Sequence, residues 1–157
     1  MTFKALLATQ AGSTISTQVV DLSDQDLMAG DVTVAVEFST VNYKDALAIS
    51  GRSPVIRQFP LIPGIDFAGV VEASTYPGLV AGDRVLANGW GLSQTHHGGY
   101  AQRARVSGDW LIKVPEAFST RQAMAIGTAG YTAMLSVLAL EHGLSLIHIS
   151  EPTRLGM

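Results

Sequence analysis

The feature that most constrains this chain is a change of rhythm at Pro115. Up to that residue, short apolar runs are cut every few residues by Gly- and Pro-containing turns. Beyond it, Gln122 to Leu140 runs 19 residues without a charged side chain. The first pattern belongs to short antiparallel strands that close into a barrel. The second belongs to a helix that is apolar all round, which is either packed on several sides or spans a membrane.

Within the first part, Lys4–Thr9 and Ser16–Leu22 read as strands around the Ala11-Gly12-Ser13 turn. Asp24–Asp31 is a loop. Val32, Val34, Val36 and Phe38 alternate with Thr33, Ala35, Glu37 and Ser39, the pattern of a half-buried strand. Asn42 is an N-cap type with Asp45 at the third helical position, so a short helix is expected up to Ile49, closed by Gly51. A Pro-interrupted loop, Arg52–Pro63, leads into a strongly apolar strand, Ile65–Ala73. Gly82-Asp83 turns into a strand over Arg84–Asn88. A Gly-rich stretch with Trp90, His96 and His97 follows, then strands over Tyr100–Val106 and Trp110–Val114. Ser119 and Gln122 form a capping-box pair opening a helix to about His142, with Gly143 as its stop and Gly127–Gly130 as a point of division.

Composition narrows the function classes. The 157 residues correspond to about one domain. Charged residues are 15% of the chain, below the roughly 25% of average proteins, so some surface is expected to be covered by a partner or further domain. A net charge of −3 with no basic run argues against a nucleic-acid partner. Zero cysteines exclude disulfides, thiolate catalysis and thiolate zinc sites, and suit a reducing cytoplasm. The apolar run after Met1 is too short for a signal peptide. The 19-residue stretch carries Gln122, Gly127, Thr128, Gly130, Tyr131, Thr132 and Ser136 and lacks a one-sided Lys/Arg cluster. It is therefore expected as a buried helix with no membrane partner.

Several segments together resemble the N-terminal part of the medium-chain dehydrogenase/reductase superfamily. They are Val41-Asn42-Tyr43-Lys44-Asp45, Pro63-Gly64-Ile65-Asp66-Phe67-Ala68-Gly69, Ala81-Gly82-Asp83-Arg84-Val85 and Gly98-Gly99-Tyr100-Ala101. Asn88-Gly89-Trp90-Gly91 and the run from Gln122 to Ala133 are similar to the zinc-independent, NADPH-dependent acrylyl-CoA reductases, also labelled quinone oxidoreductase-like. The resemblance covers about residues 3–143. It implies a mainly β fold with helices (α+β): a GroES-like antiparallel barrel over 1–118, then the first helical segment of a truncated Rossmann domain over 119–144. Residues 145–157 fit neither, look like sequencing-adaptor read-through, and are expected to be non-native.

The implied activity is an oxidoreductase's. Hydride passes from NADPH to the β-carbon of an enoyl thioester and a proton is added at the α-carbon. The alternatives are quinone reduction on the same scaffold or a non-catalytic GroES-like binding module. The implied partners are a small acyl-CoA or quinone substrate and, at full length, a homodimer. Zinc-containing relatives carry a Cys near Asn42 and a His-Glu pair where this chain has Ile65-Asp66, so no zinc is expected. The sequence holds no Gly-x-Gly-x-x-Gly turn, so the part that would bind the NADPH pyrophosphate is missing from it.

The resemblance implies that Tyr43 is the candidate catalytic residue, through its hydroxyl, and also a cofactor contact; the competing role is an aromatic anchor for the short helix. Thr128 and Asn88 are candidates for cofactor binding, through a nicotinamide carboxamide or a substrate carbonyl. Asn42 and Asp45 are candidate substrate contacts whose capping role explains them equally well. Asp66 is either a site-wall residue or a hydrogen-bonded strand end. Tyr131 lies in a segment that faces the interdomain cleft in the family. Arg52 and Arg57 suit CoA phosphates, although loop arginines are common surface residues. The adjacent His96-His97 pair lacks helical ligand spacing and is read as two loop histidines.

Overall fold

The structure, a computed structural model, describes residues 2–143. The stretch from 145 onward, expected to be non-native, lies outside the described residues. Seven strands and two helices follow in chain order: β1 (Thr2–Ala11), β2 (Thr14–Ser23), β3 (Val32–Phe38), α1 (Tyr43–Ser50), β4 (Asp66–Ser74), β5 (Arg84–Asn88), β6 (Arg103–Val106), β7 (Ile112–Lys113) and α2 (Thr120–Gly143). Every strand pairing is antiparallel. β1 and β2 form a hairpin, and the other five make one sheet in the order β6-β3-β4-β5-β7. The mainly β, GroES-like barrel with a following helix is the observed architecture.

The hairpin is stitched to the rest by backbone bonds at two places. The Leu6 N–H donates to the Tyr100 carbonyl (2.8 Å), and Ala8 and Leu61 exchange bonds of 2.8 and 3.0 Å. This corrects one strand expectation. Tyr100 and Ala101 cross to pair with β1, and Gln102 bonds both neighbours, its N–H donating to the Lys4 carbonyl and its carbonyl accepting the Val36 N–H at 2.9 Å each, so β6 begins only at Arg103. The strand expected over Trp110–Val114 also shrinks to Ile112–Lys113. The Gly108 N–H is held by Asp31 Oδ1 at 2.7 Å, and a 3-10 turn occupies Gly108–Trp110.

The alternation in β3 is imperfect for a physical reason. Val32 and Val34 are fully buried, but the ladder to β4 slips between Thr33 and Val34 and again between Val36 and Phe38. Each slip changes the face a side chain meets, and Phe38, expected inside, is 40% exposed. The main core gathers Val32, Val34, Phe67, Val71, Val85 and Val106 between the strands. Burying side chains of that size contributes about 1.5–3 kcal/mol each. Trp110 packs on this core, stacks on Trp90 at 6.3 Å and meets His96 edge-on at 5.0 Å. His96 Nε2 lies 2.8 Å from the Arg105 carbonyl, so this aromatic group bridges β7's approach and β6.

α2 starts with the expected capping box. The Ser119 N–H donates to Gln122 Oε1 (2.9 Å) and the Gln122 N–H to Ser119 Oγ (3.2 Å). It kinks at Gly127, whose φ of 53° and ψ of −163° are not helical. The expectation of a helix packed on several sides is corrected. Its buried residues are Thr120, Ala123, Met124 and Gly127, while Ile126, Tyr131, Met134, Leu135, Val137, Leu138 and Leu140 are exposed. By length and composition α2 is apolar enough to cross a membrane. Its buried side, in the first turns, lies on β3, β4 and β5.

Candidate active site

The site is built where two glycine-containing segments press together. A Cβ at Gly98 would stand 2.0 Å from the Gly64 carbonyl oxygen, and one at Gly99 2.3 Å from the Asp66 carbonyl oxygen. Without side chains there, the N–H groups of Gly98, Gly99 and Tyr100 bond the carbonyls of Ile62, Gly64 and Pro63 at 2.7, 3.0 and 3.0 Å. That crossing sets Asp66 at the start of β4 and Tyr100 beside it.

Asp66 is fully buried, yet its carboxylate is saturated with donors. The Thr40 N–H reaches Oδ1 at 3.1 Å and the Thr40 hydroxyl lies 2.7 Å from both oxygens. On Oδ2 converge Asn42 Nδ2 (3.1 Å), the Thr128 N–H (3.1 Å) and the Thr128 hydroxyl (2.6 Å). A carboxylate has about four lone-pair sites, so little is left for another ligand. Burial pushes this carboxyl up, but the donors, Thr128 and Thr40 first, outweigh it and hold it below the ordinary carboxylate value. Asp66 thus caps the helical segment that restarts after Gly127, and a charge at a helix N-terminus is favourable there.

Asp45, also fully buried, behaves oppositely. It accepts the Asn42 N–H at 3.0 Å, the Asn42 amide at 3.2 Å and the Ile65 N–H at 3.0 Å. Burial nevertheless pushes its carboxyl up, and the nearby Asp66 charge adds to that. Asn42 Nδ2 is surrounded by Thr40 Oγ1 (2.9 Å), Asp45 and Asp66, all acceptors, so its amide orientation is forced. Tyr100 donates to the Thr40 carbonyl at 2.9 Å, and burial, with Asp45 and Asp66 adding, raises its phenol pKa.

Asn88, at the end of β5, donates to Thr128 Oγ1 at 3.1 Å. It also lines a groove of about 550 Å³ with Leu86, Phe118, Ile126, Tyr131 and Met134. The groove is apolar except for Asn88 and the Tyr131 hydroxyl, the kind of wall a planar ring or acyl chain fits.

The candidates therefore divide. Asn42, Asp45, Asp66, Asn88 and Thr128 form one hydrogen-bonded cluster, and Tyr131 lines the groove beside it. Tyr43 is the first residue of α1, adjacent to Asn42, with its side chain 81% exposed; it is not packed against the barrel as an anchor. Arg52 and Arg57 are exposed in the loop before β4, where the Arg57 N–H bonds the Gln94 carbonyl at 2.9 Å. None of these three bonds the cluster among the described residues. Thr40 and Tyr100 are members that sequence reasoning missed. Tyr100 follows the Gly98-Gly99 pair, and two successive glycines before an aromatic were the available signal of close backbone approach.

The nicotinamide end of NADP(H) fits the residues present. Asn88 keeps its Oδ1 and second N–H unengaged among the described residues, and Thr128 keeps one lone pair. These complement a carboxamide. No described group of three or more His, Asp or Glu gathers in a way that would hold a metal ion.

Comparison with known proteins agrees with this architecture. The chain is 54% identical over 136 residues to the probable acrylyl-CoA reductase AcuI of Escherichia coli, covering 87% of this chain and 42% of that protein. It is 52% identical over 149 residues to acrylyl-CoA reductase AcuI of Ruegeria pomeroyi, covering 93% and 45%. The solved yhdH oxidoreductase of Salmonella enterica, in complex with NADP, superposes with a TM-score of 0.86 at 55% identity, over 88% of this chain and 43% of that one. The chain thus spans less than half the length of these relatives. Residues 28–116, more than half of the chain, match the alcohol dehydrogenase GroES-like domain, and the chain belongs to that family.

Proposed function

We propose that this chain is the barrel part of an NADP(H)-dependent oxidoreductase that reduces the activated C=C bond of a short enoyl-CoA thioester. The observation that carries the reading is the Asn88–Thr128 pair, joined at 3.1 Å, at the edge of an apolar groove where barrel meets helix. When bound, NADPH supplies a hydride to the β-carbon of the unsaturated thioester. Asn88 and Thr128 hold the carboxamide and so fix the ring face. Leu86, Phe118 and Ile126 keep water from the reacting groups. The exposed Tyr43 hydroxyl, next to Asn42 at the start of α1, would give a hydrogen bond or proton at the substrate's acyl end. Arg52 and Arg57 offer exposed guanidinium groups to CoA phosphates.

We further propose that the reaction needs no zinc. The chain has no cysteine, and the Asp66 oxygens are already occupied by Thr40, Asn42 and Thr128. A cytoplasmic protein with neither membrane nor nucleic-acid partner is part of the same reading. A second substrate is favoured by one observation: the chain is 42% identical, over 92% of its length, to a solved Bacillus subtilis protein, yhfP, with NAD bound, and a curated relative of that name is a putative quinone oxidoreductase. The test replaces the matching part of the Salmonella relative with residues 2–143 and follows NADPH oxidation with acrylyl-CoA and with a benzoquinone. Faster turnover of acrylyl-CoA supports the first reading, quinone-only turnover the second, and turnover of neither defeats both.

A further inference from the structure

The Thr128 hydroxyl has one proton, and Asp66 Oδ2 takes it at 2.6 Å. One of the two lone pairs on Thr128 Oγ1 receives Asn88 Nδ2 at 3.1 Å. The reverse orientation of the Asn88 amide would set its oxygen against a hydroxyl whose proton is already committed. What remains on Thr128 is a single acceptor lone pair. The same carboxylate also takes the Thr128 N–H at 3.1 Å, so neither hydrogen of this residue is available to a ligand.

We infer that Asp66 is a positioning residue that fixes Thr128 as a hydrogen-bond acceptor, so that the site selects a ring bearing a primary carboxamide over one bearing a ketone. Resting on the nicotinamide reading above, the inference settles which polar group Thr128 meets. It accepts the carboxamide N–H and cannot donate to a substrate carbonyl. The carboxamide oxygen is left to the second N–H of Asn88. Saturation of Asp66 from Thr40 and Asn42 as well as from Thr128 keeps the carboxylate charged and immobile, which is what holds this polarity.

The experiment uses the 157-residue chain, isotopically labelled, with NMR shift titrations by nicotinamide and by 3-acetylpyridine, which lacks the N–H₂. Nicotinamide is expected to move the Asn88 side-chain and Thr128 amide signals and to bind roughly 3- to 10-fold more tightly, the worth of one neutral hydrogen bond. The Thr128 amide is also expected to shift as pH falls through the titration of Asp66. Asp66→Asn and Thr128→Val should each bring the preference towards one, and Thr128→Ser should keep it. A purely structural role for Asp66 predicts equal weakening of both ligands instead. Should Asp66→Asn fail to fold, the two Thr128 variants and the amide titration still decide. Equal binding of the two rings by the unaltered chain, a preference that survives Thr128→Val, or a Thr128 amide indifferent to acid overturns the inference while leaving the cofactor reading in place. Binding of neither ring counts against the cofactor reading, and the inference falls with it.

Discussion

Tyr43 shows how one exposure value separates roles that sequence leaves together. With 81% of the side chain exposed, neither Tyr43→Phe nor Tyr43→Ala should move the melting temperature measurably. If the hydroxyl acts on substrate, Tyr43→Phe should still lower kcat/KM, by roughly 5- to 150-fold for about 1–3 kcal/mol. Kinetics and thermal melts of the acrylyl-CoA-reducing chimera measure both. His97 carries a pH prediction. Its Nδ1 accepts the Ile62 N–H at 3.2 Å, and burial holds its pKa below the ordinary value. The folded state therefore keeps it neutral. Its contribution is complete above the unfolded pKa of about 6.5 and declines as pH falls from there through the folded value. Urea melts between pH 7.5 and 5 should show this loss, and His97→Gln should flatten it. The capping role of Asp45 was legible because it is local. The Asn42 amide bridging Asp45 and Asp66 was not, because its partners are separated in sequence and meet only through the fold.

At the scale of elements, local chemistry was read well and long-range crossings were not. Strand β5 and the Ser119–Gln122 capping box match what their residues dictate. β6 is shorter than its residues predict because Tyr100 and Ala101 turn to β1 and Gln102 bonds both β1 and β3, and periodicity carries no information on which partner a strand edge finds. The break in α2 was legible as Gly127–Gly130, and the structure puts it at Gly127. There φ is 53°, and a Cβ would stand 3.0 Å from Thr40 Cγ2. Gly127→Ala must strain that backbone and press on Thr40, so it should cost about 1–3 kcal/mol. At about 2–4 °C per kcal/mol the melting temperature should fall by several degrees. Gly130→Ala carries no positive φ, but its Cβ would stand 2.7 Å from the branch methyl Cγ2 of Ile126, whose χ1 is stiff in a helix, so its loss comes from that contact and not from backbone strain.

Across the whole molecule, the low charge content and the uncharged run from Gln122 to Leu140 predict exposed apolar surface on the C-terminal helix. On α2, Met134, Leu135, Val137 and Leu138 are exposed together. An apolar face of this kind should bind a hydrophobic dye, and replacing Met134 and Leu138 by Lys should reduce the signal without altering the barrel. A dye-silent parent chain would contradict this. The barrel itself was legible from turn spacing and from the quoted motifs, because alternation and Gly-Pro punctuation encode it directly. The chemistry was legible only as candidate residues, since the polarity of Thr128 depends on a carboxylate 62 positions away. The activity proposed for the protein that carries this barrel is NADPH-dependent reduction of an enoyl thioester. Its most direct measurement is stereospecific transfer of deuterium from 4-deuterated NADPH to acrylyl-CoA by the chimera carrying residues 2–143. Label is expected at the β-carbon of propionyl-CoA, undiminished by a zinc chelator. Label absent from that carbon, or turnover abolished by the chelator, would contradict it.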